Sequence, residues 1–551
     1  MSKKINLFVL TLFLLFTLMS SFAYGNSLLE VIPEKVIAVL ELADSEIIKS
    51  VSEMNMGTFT PPKGLTGVND YKVAREDIKK ELGFDVLDPL FLENIFSEGV
   101  VISCVGVSVG GTPEILIAVS PSDEHAFLKF VGAVEAKNEL EEEISNYKGI
   151  DIVKIILPEE EDTDSKSIDS ISYAFLGKTL VIGENSLPIK KSIEVYKGEK
   201  NSLLKNSEYT ELKTKTLEKL EFSQFFACLF SEELYKVMDE LAEVVEEEDL
   251  ARTLESSRDS LENMSNIGMA GGYREKNFKT YIMAPQASEN YLELFKKIDV
   301  INLQSLHMLP KNTFFYLAGL TPFTWEEMKE EMIDENLQAN LDENMGQVQS
   351  KTGIDIENIL SVLPSQEFSI GLFDSSAIFP KVGLLTGFSS EEKLKQNIYP
   401  LIANFAPIMG GQLMDGEYEG INYKSLPNPM FPVAYGIVGD RFVVSTGIND
   451  IIDTQKGSRE ALDKSEAINY MLSFPNVISL LYIDMTPITQ IAERFIQMSK
   501  QSMQQTQEEQ EVSGADTTEA MMENLRKLKN VLFWAGTEED YVYAWLEINY
   551  K

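Results

Sequence analysis

Short apolar runs bounded by glycine and proline alternate with segments of helical spacing along this chain, and the order of the segments repeats in both halves. The first half opens at Ile32-Pro33-Glu34 before the apolar run 36–42, the second at Leu309-Pro310-Lys311 before the run 314–320. Apolar runs at 99–109 and 367–373 each lead to another, at 114–119 and 382–387. Runs of this length between turn residues predict strands, and strands joined by tight turns predict antiparallel sheet. Tyr147-Lys148-Gly149-Ile150 matches Tyr418-Glu419-Gly420-Ile421, and Tyr173 to Lys178 matches Tyr435 to Asp440, with Gly177 and Gly439 at hairpin turns. The run 225–230 is set against 480–485, each ahead of a long helix, and both halves close on hairpins at 268–283 and 533–548.

Helical segments fall between these runs. Leu234, Val237, Met238, Leu241, Val244 and Val245 keep the spacing of three and four that buries one helix face. One helix ends at Leu82-Gly83-Phe84-Asp85 and its counterpart at Thr352-Gly353-Ile354-Asp355; another starts at Ser122-Asp123-Glu124 and at Ser389-Ser390-Glu391-Glu392, where Ser389 and Glu392 form a capping box. The expected fold class is α+β: two tandem copies of one module, each a mainly antiparallel sheet with helices packed on one face. The repeat is about half the chain, far beyond the roughly 20–50 residues of a solenoid unit. The expected boundaries are a signal peptide at 1–25, a first module at 26–290, a connector at 291–307 and a second module at 308–551.

The N-terminus predicts export. Lys3 and Lys4 precede an apolar stretch at 5–19, and Ala23-Tyr24-Gly25 supplies small residues for cleavage before Asn26. No other stretch approaches a transmembrane length, so the mature chain is expected to have no membrane-spanning helix. Among 551 residues, 87 are acidic and 48 basic, a formal net charge of −39. That charge repels phosphate backbones and sets nucleic acid aside as a partner. It suits a solvated surface in the periplasm or outside the cell. Two polar stretches read as exposed loops: the acidic 158–170 and the Gln/Glu-rich 504–518. The acidic loop lacks the ligand spacing of a calcium site.

The candidate chemistry is thin. Gly106-Val107-Ser108-Val109-Gly110 has the Gly-x-Ser-x-Gly form of a hydrolase nucleophile elbow. An elbow needs strand, turn and helix, whereas here a second strand follows, so a hairpin is expected. A triad also needs a histidine, and the chain holds only His125 and His307, neither with flanking ligands at zinc spacing. Cys104 and Cys228 lie in apolar strands whose counterparts are Leu372 and Ile483, which points to core positions; export would also permit a disulfide if the strands are neighbours. Trp325 sits at a helix start inside a Thr324 to Glu327 capping box, and Trp534 and Trp545 in the closing hairpin. No catalytic, cofactor-binding or metal-ligating residue is assigned, and no cofactor.

Tyr147 to Ile150, Tyr173 to Gly183, Leu203-Leu204 and the strand from Phe225 to Leu229 together resemble exported bacterial proteins grouped as domain of unknown function 3352, with the resemblance extending over most of the mature chain. The resemblance implies an extracytoplasmic location and carries no established activity. The expected function is a non-enzymatic binding or scaffold protein of the cell envelope, holding a small-molecule, lipid or protein ligand in a cleft between the modules or on a sheet face. A hydrolase using Ser108, or a chaperone-like protein acting through its long helices, are the alternatives.

Overall fold

A computed structural model describes residues 26–42, 99–108, 113–122, 140–156, 170–244, 265–285, 303–321, 355–363, 366–376, 379–406, 411–428, 432–505, 525–538 and 541–551, with scattered helical positions at 124–132, 325, 341–350 and 522–523. The expected signal segment, the helix end at Leu82-Gly83-Phe84-Asp85, the capping partners of Trp325, and most of the connector and both polar loops lie outside the described residues. The chain divides into two compact units, residues 1–288 with 512–524 and residues 289–511 with 525–551.

The alternating strands of the first unit are β1 (Ala38–Leu42), β2 (Val100–Val107), β3 (Pro113–Val119), β4 (Glu141–Tyr147), β5 (Ile150–Ile156), β6 (Ser170–Leu176), β7 (Thr179–Gly183), β8 (Phe225–Leu229), β9 (Ile267–Arg274) and β10 (Asn277–Pro285). They pair antiparallel in the order β4-β5-β6-β7-β3-β2-β1-β8-β9-β10. In the second unit the strands are β11 (Thr313–Thr321), β12 (Gln366–Phe373), β13 (Lys381–Thr386), β14 (Met414–Tyr418), β15 (Ile421–Leu426), β16 (Val433–Val438), β17 (Arg441–Ser445), β18 (Val477–Asp484), β19 (Leu528–Glu538) and β20 (Tyr541–Tyr550). Their order is β14-β15-β16-β17-β13-β12-β11-β18-β19-β20, again antiparallel throughout. With helices between these strands, each unit is α+β.

Tight turns set the hairpin registers. Lys148-Gly149 and Glu419-Gly420 both take positive φ at both turn positions, the geometry that matches strand twist and for which glycine is the unstrained residue. Between β9 and β10 the turn is Glu275-Lys276, with φ of 51° and 65° and no glycine to relieve it.

After β7, helix α1 (Ser186–Tyr196) starts under Asn185, whose side chain accepts from the Leu187 amide at 2.8 Å. It ends at Gly198, with φ +74°, where the amides of Gly198 and Glu199 close back onto the carbonyls of Val195 and Glu194. After β17, α2 (Ile448–Gln455) ends the same way at Gly457, with φ +79°, Thr454 and Asp453 accepting. A 3-10 turn follows each helix, at Leu203–Lys205 and Leu462–Lys464. Beside each turn a proline forms a bridge: Pro33 with Ser202 and Pro310 with Ala461. Then come α3 (Ser207–Glu218) and the shorter α4 (Glu466–Leu472). After β8 and β18 run α5 (Ser231–Val244) and α6 (Met485–Gln505). Among the described residues no helix is long and apolar enough to cross a membrane.

Three local expectations need correction. The helix after β13 is capped by Ser390, whose hydroxyl accepts from the Lys393 amide, while the Ser389 hydroxyl donates to the Ser361 carbonyl. Ser390 holds the extended backbone a cap needs, so the helix begins one residue later than the Ser389 box requires. Cys104 and Cys228 are free and are not on neighbouring strands. Cys104 is the partner of Ala38 and Cys228 of Val39, on opposite sides of β1. Two inter-strand steps separate them by about 10 Å and they face opposite sides of the sheet, which excludes a disulfide. Finally, with the bridging prolines as common origin, Val39 and Tyr316 hold the same place, and their partners on β8 and β18 are Cys228 and Tyr482. The counterpart of Cys228 is therefore Tyr482, not Ile483, and that of Phe230 is Asp484, not Met485.

Candidate functional site

The Gly-x-Ser-x-Gly segment starts on β2, and the next described element is β3, which pairs antiparallel with β2, so the segment leads to a strand. Its first glycine has a different purpose. A Cβ on Gly106 would lie 2.9 Å from Glu114 Oε2 and 3.1 Å from Lys191 Nζ. Those two side chains form an ion pair of 2.7 Å across the end of the sheet, and Lys191 also donates to the Val105 carbonyl at 3.0 Å. Gly106 makes room for this pair. Burial raises the carboxyl pKa of nearby Glu184, with the charge of Glu114 adding to it, and burial likewise raises the Cys104 thiol.

At the matching ladder and helix positions of the second unit the charges are exchanged. Lys381 on β13 stands where Glu114 stands on β3, and Asp450 on α2 where Lys191 stands on α1; their separation is also 2.7 Å. Lys381 reaches Asp374 as well, at 2.9 Å, and Arg459 closes on Asp450. A second pair of contacts keeps its sense: Tyr147 donates to Glu194 at 2.8 Å and Tyr418 to Asp453 at 3.1 Å.

Each unit also holds a carboxylate inside a closed cluster that the other lacks. Glu41, 1% exposed, accepts from the Tyr209 hydroxyl and from Lys213 at 2.7 Å. Glu367, also 1% exposed, accepts from Ser305 and from Arg441 at 3.3 Å, and Ser305 bonds in turn to Tyr316 at 2.7 Å. Apolar residues hold the corresponding places: Ala318 for Glu41, and Leu28 and Val39 for Ser305 and Tyr316. These clusters are satisfied and closed to solvent, so they position structure and offer no open chemistry.

Among the described residues, an open polar site lies in the second unit. A cleft of about 770 Å³ opens between the start of α4 and the ends of β18, β19 and β20. Its floor is a cross-strand row, Tyr482 opposite Leu532 and Leu532 opposite Glu547, with Asp484 opposite Asn530 in the next row. Ser465 and Tyr470 line the α4 wall, and Lys311, Lys464 and Lys529 stand at the rim. Lys311 pairs with Glu460 at 2.9 Å and Lys464 with Asp463 at 2.8 Å; Lys529 has no carboxylate at ion-pair distance among the described residues. Burial, reinforced by the charge of Asp484, pushes the Tyr482 hydroxyl up to about 12, so it is neutral at physiological pH and hydrogen-bonds Ser465.

The first unit fills this place. Tyr209 stacks on Phe230 with ring centroids 6.3 Å apart and meets Phe226 edge-on at 5.8 Å. Both Tyr209 and Phe230 are buried. In the second unit Ile468, fully buried, replaces Tyr209, and Asp484, on the cleft lining, replaces Phe230, so neither stacked ring is present there. Setting Phe230 against Met485, one residue out of register, conceals that exchange in the sequence.

The remaining candidates are not on the cleft lining, though Trp534 meets Tyr470 edge-on at 5.6 Å. His307 is exposed and sits 3.2 Å from Asp463 through Nδ1; His125 is exposed on the helix after β3. Trp534 and Trp545 stack in the core at 5.7 Å. Among the described residues no group of three or more His, Cys, Asp or Glu is arranged to hold a metal ion.

The fold and cleft define an α+β protein with a polar ligand-sized hollow and no assembled catalytic set among the described residues. The family model described as protein of unknown function DUF3352 matches residues 100–398, and the chain belongs to that family. The match runs from β2 into the second unit, which is less of the chain than the landmarks suggest. No curated protein and no solved structure matches the chain.

Proposed function

We propose that this chain is an exported, non-enzymatic binding protein of the cell envelope. It is built from two tandem copies of one α+β module with helices on one sheet face, and uses the cleft of the second copy for its ligand. The identical strand order, the matching helix ends and the exchanged Glu114–Lys191 and Lys381–Asp450 pairs support descent of both halves from one module. The observation that carries the binding reading is the opening of a polar cleft where the other half packs two rings. A duplicated scaffold that keeps one copy filled and hollows the other has the form of one structural and one ligand-binding half. The positive stretch, apolar core and small-residue site at 1–25 support export.

Native mass spectrometry of the mature protein, purified from an exported preparation without detergent, tests the reading. A bound mass that leaves on denaturation is expected. A clean unliganded mass, with no small molecule retained under any purification condition, would count against it.

The long helix supports a second reading. Phe495 and Met498 are exposed on α6, with Phe495 edge-on to Phe379 at 5.7 Å. Such a patch suits chaperone-like contact with unfolded clients. If so, Phe495→Ser with Met498→Ser abolishes suppression of client aggregation; unchanged suppression removes this reading.

A further inference from the structure

We infer that the ligand of the second-unit cleft is an uncharged oligosaccharide of two or three sugars, an inference that rests on the binding reading above. The charge of the lining is balanced. Lys311, Lys464 and Lys529 are matched by Glu466, Asp484 and Glu547, and two of the lysines already face acidic neighbours. A phosphate or a polyanion therefore finds no net attraction here, unlike at a dedicated anion site. A lipid chain is equally ill served, since the floor offers Leu532 between a tyrosine hydroxyl and a carboxylate.

What the lining does offer is a dense alternation of acceptors and donors. Asp484 presents a carboxylate, Asn530 an amide, and Tyr482 and Ser465 hydroxyls, while Glu547 lies beneath them, 6% exposed, with Oε1 accepting from Asn549 at 3.0 Å. Planar groups with two adjacent oxygens, or an oxygen and a nitrogen, engage two neighbouring hydroxyls of one ring at once. Tyr470, 38% exposed at the mouth, supplies an aromatic surface for the C–H face of a sugar ring. The volume lies within the roughly 300–1,000 Å³ of small-molecule sites, which fits a short oligosaccharide and not a folded partner.

The test is saturation-transfer difference NMR of the full-length mature protein with neutral trisaccharides of glucose, mannose, galactose and N-acetylglucosamine. At least one gives difference signals. Asp484→Phe, which returns the ring of the first unit to this place, abolishes them. Tyr470→Ala weakens binding about tenfold, as expected for loss of one aromatic contact. Silence from all four sugars, or signals that survive Asp484→Phe, overturns the inference. A peptide or phosphate ester identified as the native bound mass overturns it too, while leaving the binding reading intact; absence of any bound mass instead removes that reading itself.

Discussion

Glu194 shows how much one surface-facing helix residue contributes to holding a hairpin. Lys200 at 2.7 Å and the Tyr147 hydroxyl at 2.8 Å bond its carboxylate and pull its pKa from 4.5 down to about 2. A folded-state pKa below the unfolded value adds stability that is complete above about pH 4.5 and vanishes as pH falls to about 2. Glu194→Gln should lower the unfolding midpoint at pH 7 and converge with the parent near pH 2; parallel midpoints across that window would contradict the assignment. Buried Glu367 makes a sharper demand. Arg441→Met leaves its carboxylate without its cation and should cost about 3–5 kcal/mol in urea unfolding, whereas Arg441→Met with Glu367→Leu should cost less than the single change. The thiols are predicted to be unreactive while the chain is folded. Burial pushes Cys228 up to about 12, helped by the charges of Glu41 and Glu208. Thiol titration with a chromogenic disulfide should therefore count two cysteines in denaturant and leave Cys228 unmodified without it.

At the scale of elements, the exchanged ion pairs make the clearest experiment. Glu114→Lys and Lys191→Asp each place like charges together at the sheet end, and each should destabilise the first unit. The double change recreates the Lys381–Asp450 arrangement and should recover about 1–3 kcal/mol of coupling in a double-mutant cycle. Additive effects would mean the two side chains do not depend on each other. The Glu275-Lys276 turn is the opposite case, a position where sequence and backbone disagree. Replacing it with Asn-Gly should raise stability by about 1 kcal/mol, since two side chains leave the left-handed region. Most elements could be read in the sequence because their signals are local. Gly149, Gly177, Gly420 and Gly439 mark turns that need positive φ, and alternation marks the strands between them. Two adjacent serines satisfy the same capping pattern, so the sequence alone points to Ser389 while the cap is Ser390. The one-residue slip at β8 and β18 had larger consequences, for in a strand it exchanges the two faces. Register there is set by pairing with β1 and β11, strands far away in sequence, so the apolar runs alone did not fix it.

The molecule as a whole is two α+β units with one strand order, and three of their differences are exchanges that bear on polar chemistry. Two of those exchanges, Glu41 with its partners and Glu367 with its partners, close the interior. The third, Ile468 and Asp484 in place of Tyr209 and Phe230, opens it. None of the cleft residues stands out in the sequence, because Tyr482, Asn530 and Glu547 become neighbours only when three strands align. The Gly-x-Ser-x-Gly motif is the opposite case, a local pattern whose first glycine makes room for an ion pair. The second unit's hollow is the proposed seat of the ligand. Native mass spectra of the parent protein and of Asp484→Phe, prepared side by side, test it most directly. A bound mass is expected in the parent and none in the variant at equal folding; the same bound mass in both proteins would place the ligand elsewhere.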